Sequence, residues 1–125
     1  MIHGIGTDIV AVARMSELDA RHGARAAAKL LADDEQADYQ ASSDHARFLA
    51  KRFAAKEALG KALGTGVRTP VLLTAIAVAH DALGKPMFRF APALEAWMKT
   101  QNLHAHLSIS DEREYAVAFV VVEKT

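Results

Sequence analysis

Apolar and polar positions divide the chain into short β-branched stretches and longer alanine-rich stretches, which predicts a mixture of strands and helices. Ile2 to Val12 is apolar and rich in β-branched residues, so we expect a strand there. Ala13 to Leu31 is rich in alanine and leucine, which favours a helix, and Gly23 is expected to break it. Asp33 or Asp34 is a suitable N-cap for a short helix that reaches Gln40.

The longest predicted helix extends from Asp44 to Leu63. Ser42 or Ser43 is expected to open it. The run Gly64-Thr65-Gly66 is expected to end it, because glycine readily adopts the left-handed conformation that closes helices.

The rest of the chain is expected to form mostly strands. The predicted elements are strands over 72–79 and 87–90, a turn at Gly84-Lys85-Pro86 between them, a helix from Pro92 to Gln101, and a hairpin of 104–110 with 115–122. Tyr115 to Val122 is apolar at nearly every position, so we expect this strand to be central and buried on both faces. The order of elements predicts a single α+β domain over residues 1–125.

Composition narrows the class of protein. The 125 residues are 51% apolar and 24% charged, which is typical of one globular domain. Fifteen basic residues balance fifteen acidic ones, whereas a general nucleic-acid or membrane-surface binder usually carries a basic excess. The absence of cysteine excludes a disulfide framework and a thiolate site. No apolar run is long enough to span a membrane and the N-terminus does not resemble a leader, so we expect a soluble, cytoplasmic protein.

The neutral total conceals segregated charge. An acidic block, comprising Asp33, Asp34, Glu35, Asp38 and Asp44, precedes a basic stretch that contains Arg47, Lys51, Arg52, Lys56, Lys61 and Arg68. Such runs are usually solvated helix faces. The alternative is a local anion site, which requires that other features converge there.

The first strand carries a motif that leaves one face bare. Gly4, Gly6 and Asp8 alternate along it, so a helix backbone or a ligand can approach beside the carboxylate. The simpler alternative is a bulge packed against a helix, with Asp8 capping a turn.

The long helix places charges in two different settings. Glu57 and Lys61 lie on a strip of alanines, where the spacing also suits an ordinary i,i+4 ion pair worth about 0.2–0.5 kcal/mol. Arg52 and Lys56 project into the broad apolar arc, so they require a partner, a snorkelling route or an interface.

The glycines from Gly60 to Gly66 do not form a Walker A loop, because they close a helix whose C-terminal dipole repels phosphate. A phosphate here would depend on Lys61, on the N–H groups of 64–66, or on a metal ion. Asp8 and Glu57 suit Mg²⁺, with phosphate and water completing its shell. His104 and His106 lack a third ligand for zinc, and no Gly-x-Ser-x-Gly elbow favours a serine hydrolase.

Four segments together resemble the holo-[acyl-carrier-protein] synthases, which are small phosphopantetheinyl transferases. They are Gly4-Ile5-Gly6-Thr7-Asp8-Ile9-Val10; the stretch from Phe48 to Ala58 continued by Lys61 to Gly66; Gly84-Lys85-Pro86; and His106-Leu107-Ser108-Ile109-Ser110. The resemblance covers essentially the whole chain. Many members carry a histidine where this chain has Asp111.

The resemblance implies transfer of 4′-phosphopantetheine from coenzyme A to a serine of an acyl carrier protein in fatty acid biosynthesis, with release of adenosine 3′,5′-bisphosphate. It implies a mainly antiparallel sheet packed with one long helix, and a trimer whose active sites lie at subunit interfaces that also accommodate Arg52 and Lys56. The implied metal ligands for Mg²⁺ are Asp8 and Glu57, and the implied catalytic residues are Glu57 and Lys61. Coenzyme A would contact Arg52, Lys61, Gly64, Thr65, Lys85, Pro86 and His106, and the carrier would dock on Arg14, Arg21 and Arg25.

Two other functions use the same residues. One is a non-catalytic module that binds a phosphorylated ligand, and the other is a different Mg²⁺-dependent phosphotransferase with a small substrate. Asp8 argues against the first, since a simple anion site has no use for a second carboxylate unless a metal bridges it to Glu57. The base that accepts the serine proton is Glu57 or a metal-bound water.

Overall fold

The computed structural model describes residues 1–125 and shows an α+β fold in which five strands accompany five α-helices. The strands are β1 (Ile2–Ala11), β2 (Ile76–His80), β3 (Pro86–Phe90), β4 (Leu103–Asp111) and β5 (Tyr115–Lys124). The helices are α1 (Val12–His22), α2 (Ala24–Leu30), α3 (Gln36–Ala41), α4 (His45–Leu63) and α5 (Pro92–Thr100). Two short 3₁₀ helices, Asp33–Glu35 and Leu73–Ala75, complete the fold.

The strands form two antiparallel sheets. β5 lies between β1 and β4 in a three-stranded sheet, while β2 and β3 form a separate hairpin. The prediction that the last strand is central is therefore confirmed. The prediction that it is buried on both faces is wrong for the protomer, because the side chains of β5 alternate between buried and partly exposed positions.

Helix α4 covers one face of the three-stranded sheet and supplies much of the core. Its alanines and leucines are buried against β1 and β5, whose inward residues Val10, Ala118, Val120 and Val122 are almost fully covered. The opposite face of the sheet carries Ile5 and Ile9, each 61% exposed, and Phe119, 45% exposed. An apolar face of this kind usually marks an interface.

Most predicted boundaries agree with the structure. Gly23 separates α1 from α2, Gly64 ends α4 with a φ of 78°, and Pro92 opens α5. The N-cap of α4 is Asp44, whose carboxylate accepts from the backbone N–H of Arg47, while Ser42 instead accepts from the N–H of Asp44.

Two other predicted boundaries need correction. A 3₁₀ turn delays β2 until Ile76, four residues later than expected from Leu72. The side chains of Asp33 and Asp34 do not cap the short helix; the backbone of Ala32 and the Glu35 carboxylate form that turn. No helix combines the length and the apolar character that crossing a bilayer requires.

Candidate active site

The contact between α4 and β1 places an ammonium group beside a carboxylate. Lys61 donates to Asp8 Oδ1 at 3.2 Å and to the carbonyl oxygen of Thr7 at 2.9 Å. The side chain of Asp8 is 18% exposed and that of Lys61 is 55% exposed, so the pair lies at the edge of the protein interior, open to a ligand.

Two glycines make this contact possible. A β-carbon on Gly4 would lie 2.0 Å from the carbonyl oxygen of Ala62, and one on Gly6 would lie 2.1 Å from that of Ala58. The two backbones therefore touch, as the bare face of the glycine motif predicted.

Glu57 lies on the same helix face as Lys61, one turn earlier, and is half-buried. Because α4 runs antiparallel to β1, with Ala62 at Gly4 and Ala58 at Gly6, that earlier turn faces the part of β1 that carries Asp8. The helix and strand thus direct Asp8, Glu57 and Lys61 to one region.

The donor chemistry of this region fits Mg²⁺. Its acidic side chains are the carboxylates of Asp8 and Glu57, and no group of three acidic or histidine side chains is gathered anywhere in the protein. A dedicated cage, such as a structural zinc site, needs more protein ligands than this. Mg²⁺ commonly takes one or two carboxylates together with water and substrate phosphate.

The end of α4 extends this region. Gly64 adopts the left-handed conformation, and Thr65 donates its hydroxyl hydrogen to the carbonyl oxygen of Gly66 at 2.8 Å. Gly64 and Thr65 follow Lys61 by three and four residues, so this turn begins about one helical turn after Lys61.

A second group of predicted residues lies elsewhere in the protomer. Lys85, Pro86 and His106 line a cavity of about 250 Å³ between the β2–β3 turn and β4. Asp81 holds that turn by accepting from the N–H groups of Leu83 and Lys85, each at 2.9 Å. These two hydrogen bonds, with that of Gly84, lower the pKa of the Asp81 carboxyl.

One member of each group, Asp8 and His106, lies on the three-stranded sheet, and the two project from opposite faces of it. Asp8 pairs across the sheet with the buried Ala118, on the side of α4. His106 pairs with Val121, and Val121 with the exposed Ile5, on the uncovered side. Since strand partners share a face, one protomer cannot bring His106 to Asp8. The predicted residues therefore assemble into one site only if two chains meet.

The histidines on this outer face bind different side chains. His106 Nε2 lies 2.6 Å from Glu123 Oε1, while His104 Nε2 lies 3.3 Å from the hydroxyl of Thr125. Each ring thus has its own partner, and the two rings do not share one.

A family model described as the 4′-phosphopantetheinyl transferase superfamily matches residues 4–120. The chain belongs to this superfamily. The match includes both glycines of β1, Asp8, all of α4 and the outer face of β4.

Similar proteins within the superfamily indicate which type of transferase this chain is. A holo-[acyl-carrier-protein] synthase of Azoarcus sp. (strain BH72) is 58% identical over 98% of both chains, and one of Dechloromonas aromatica (strain RCB) is 61% identical over the same shares. The crystal structure of the synthase from Neisseria meningitidis has a TM-score of 0.96 at 46% identity, covering 99% of this chain and 100% of that one. The chain is thus a phosphopantetheinyl transferase of the holo-[acyl-carrier-protein] synthase type.

A ligand complex lies among the similar structures. The synthase from Bacillus anthracis str. Ames, in complex with coenzyme A (3′,5′-ADP), has a TM-score of 0.84 at 35% identity and covers 100% of this chain and 99% of that one.

Arg52 and Lys56 occupy positions that differ from the expectation. Both are buried in their own protomer, and both bind Glu35, at 3.1 Å and 2.5 Å respectively. The expectation that a second subunit accommodates them is therefore wrong. The guanidinium of Arg52 also donates to the carbonyl oxygen of Val78, so its position does not support the predicted contact with coenzyme A. The partner that sequence reasoning missed is Glu35, because the acidic block that contains it was interpreted as a solvated helix face.

Asp111, where many members of the family carry histidine, has a structural partner. Arg47 donates to Asp111 Oδ2 at 3.1 Å and to the carbonyl oxygen of Arg113 at 3.1 Å, and the ammonium of Lys51 lies 3.7 Å from Asp111 Oδ1. These contacts hold the β4–β5 turn against the first turns of α4. Composition alone gave no indication of this link.

The predicted docking arginines lie on two helices. Arg14 stacks over Phe53 at 5.4 Å and Arg21 pairs with Glu17 at 2.8 Å, both on α1. Arg25 lies on α2, beyond the break at Gly23, so the three do not follow one continuous helix. Arg25 borders a cavity of about 240 Å³ whose other lining residues are Leu18, His22, Ala26, Lys29 and Leu30.

Proposed function

We propose that this synthase transfers 4′-phosphopantetheine from coenzyme A to a serine hydroxyl of an apo acyl carrier protein, that it requires Mg²⁺, and that it works as a homotrimer with shared active sites. The products would be the holo carrier, which serves fatty acid biosynthesis, and adenosine 3′,5′-bisphosphate. The observation that carries the proposal is the contact between Lys61 and Asp8 where α4 touches β1, with Glu57 one turn earlier on α4.

The reaction exchanges one phosphorus–oxygen bond for another. The serine oxygen bonds to the β-phosphorus of coenzyme A, and the bond from that phosphorus to the bridging oxygen breaks, so the bridging oxygen leaves on the nucleotide. Such a transfer needs positioning and charge neutralisation more than it needs a protein nucleophile. This chain has no cysteine, and its proposed site offers carboxylates and an ammonium, which suits that requirement.

Each residue of the site has a distinct role in the proposal. Asp8 and Glu57 would hold Mg²⁺, which supplies Lewis-acid neutralisation of the pyrophosphate when bound. Lys61 would move its ammonium from Asp8 to the pyrophosphate and stabilise charge on the leaving oxygen. Either Glu57 or a metal-bound water would accept the serine proton.

The division of the proposed site between two faces requires more than one chain, and the resemblance to the family favours three. Lys85, Pro86 and His106 would bind the nucleotide end of coenzyme A from one protomer, while Gly64 and Thr65 would border the pyrophosphate in its neighbour. Ile5, Ile9 and Phe119 would be covered in that interface, which explains their exposure in the protomer. Light scattering at micromolar concentration should give the mass of three chains, and the mass of one chain would contradict this part.

The carrier would dock beside this site on Arg14, Arg21 and Arg25. The cavity at Arg25 combines basic groups with apolar Leu18 and Leu30, which suits an acidic helix that also presents an apolar side chain.

The transfer itself is tested by mass spectrometry of the carrier. Wild-type enzyme, coenzyme A and Mg²⁺ should add the mass of one phosphopantetheine to an apo carrier protein, and a chelator should abolish the gain. A carrier whose acceptor serine is replaced by alanine is the matched control. An unmodified carrier under all conditions would contradict the proposal.

A further inference from the structure

Glu35 forms the centre of a buried ionic cluster that the proposed mechanism does not use. The residue is 1% exposed and lies in the 3₁₀ turn before α3. Its carboxylate accepts from the N–H of Ala32 at 2.9 Å and of Val78 at 3.0 Å, and it also binds the two buried cations of α4, Arg52 and Lys56.

Both cations reach further elements. Lys56 is fully buried and donates to the carbonyl oxygens of Leu30, at 2.7 Å, and Leu73, at 2.9 Å. Arg52 donates to the carbonyl oxygen of Val78. No buried side-chain nitrogen or oxygen in the protein lacks a partner. One face of α4 is thus fastened to α2, the 3₁₀ turn Leu73–Ala75 and β2.

Stability alone does not account for this arrangement. The cluster buries two cations with one carboxylate, so its charges do not cancel. Replacing a buried ion group by apolar side chains of similar volume is often neutral or stabilising. The best-attested use of buried ionic groups is to specify register.

The side of α4 that packs on β1 is smooth, and the other polar contacts of the helix lie near its two ends, at Arg47 and at Lys61. Alanine occupies every fourth position along it, namely Ala46, Ala50, Ala54, Ala58 and Ala62. This smooth ridge meets the glycines of β1, where no side chain interlocks with it. A slip of one residue along the helix axis would move Glu57 by about 1.5 Å and would also turn it away from Asp8.

We propose that Glu35 is a positioning residue that sets the axial register and rotation of α4 through Arg52 and Lys56. Lys56 directly precedes Glu57, so the cluster fixes the helix turn that carries the proposed metal ligand. Glu35 thereby controls how Glu57 and Lys61 face Asp8. This inference rests on the proposed function for its metal readout only.

The test replaces the charges without leaving a cavity. A triple variant, Glu35→Met with Arg52→Leu and Lys56→Met, removes all three charges at similar volume. Leu94→Ala, in the fully buried part of α5, is the control for general destabilisation. Each protein is compared for thermal midpoint, for Mn²⁺ binding by electron paramagnetic resonance, and for the amide chemical shifts of Gly4, Gly6 and Asp8.

The proposal expects a triple variant that still folds, with a lower thermal midpoint because backbone groups of Ala32, Val78, Leu30 and Leu73 lose their hydrogen-bond partners. That variant should shift the three amides and bind Mn²⁺ about 10-fold more weakly, the scale of losing a supporting contact to a metal ligand. Leu94→Ala should lower the midpoint and leave amides and Mn²⁺ affinity unchanged. A folded triple variant with unchanged amides overturns the proposal, and so does one that cannot fold, because the cluster's role is then purely structural. If the wild type itself binds no Mn²⁺ and the triple variant still shifts the three amides, the metal assignment is refuted and the positioning role is supported.

Discussion

The backbones of Gly6 and Ala58 are in direct contact: a β-carbon on Gly6 would lie 2.1 Å from the carbonyl oxygen of Ala58. This contact brings α4 onto β1 closely enough for Lys61 to reach Asp8 at 3.2 Å. The glycine motif is thus a requirement of the helix–strand packing that forms the site, and it needs no ligand to explain it.

We expect Gly6→Ala to destabilise the protein by about 3 kcal/mol or more, because the helix backbone must move away from the strand. Chemical denaturation measures this loss. Gly64→Ala is the matched control, since nothing lies within 4 Å of that position and only the left-handed backbone is strained, at about 1–2 kcal/mol. Equal losses in the two variants would show that the close contact does not matter.

Removing either proposed metal ligand should lower turnover without lowering stability. Asp8→Ala and Glu57→Ala should each lower turnover by about 10²-fold, the scale of losing a key electrostatic element, with the fold intact by circular dichroism. Lys61→Ala should act in the same direction without abolishing Mg²⁺ binding. Asp34→Ala, which removes an exposed carboxylate outside the proposed site, should leave turnover unchanged. Near-normal turnover for both Asp8→Ala and Glu57→Ala would remove the metal-site assignment.

Charge reversal on α1 should affect the carrier rather than the chemistry. Arg14→Glu combined with Arg21→Glu should raise KM for the carrier and flatten its dependence on salt, because these side chains steer association from an exposed rim. Turnover at saturating carrier and KM for coenzyme A should change much less. Arg89→Glu, on β3, is the matched control. A double variant with lower turnover and an unchanged KM for the carrier would place the arginines in the active site.

The lowered pKa of His80 makes the stability of the protein depend on pH. Burial and the nearby charges of Arg52 and Lys51 lower its pKa below 6.5, although Asp38 and Asp81 act in the opposite direction. As the pH falls through 6.5, His80 takes up a proton in the unfolded chain before it does so in the folded protein. Acidification therefore lowers the free energy of unfolding. In an NMR titration, Lys51→Gln should move the His80 pKa upward, and an unchanged titration would contradict the assigned cause.

Periodicity predicted the elements that local chemistry determines. The strand at Ile2, the break at Gly23, the end of α4 at Gly64 and the central last strand depend on residues close in sequence, and the structure confirms all four. The faces on which Asp8, Glu57 and Lys61 lie were also predictable, because alternation along a strand and helical spacing determine them; their role in a site stays a prediction.

Long-range partners were not predictable in the same way. Arg52 and Lys56 were recognised as cations that need a partner, but their partner, Glu35, lies 17 and 21 residues away within an acidic block. Nothing in the spacing distinguishes the buried acid of that block from its exposed neighbours Asp33 and Asp34. The same holds for Arg47, which binds Asp111 across 64 residues.

The division of the site between two chains is tested most directly by complementation. Asp8→Ala protein and Lys85→Ala/His106→Ala protein should each modify the carrier poorly. If they are denatured, mixed in equal amounts and refolded together, random assembly pairs two intact halves in about a quarter of the sites. Mass spectrometry of the carrier should then show transfer at about a quarter of the wild-type rate. A mixture no more active than the average of the two separately refolded variants would contradict the shared site.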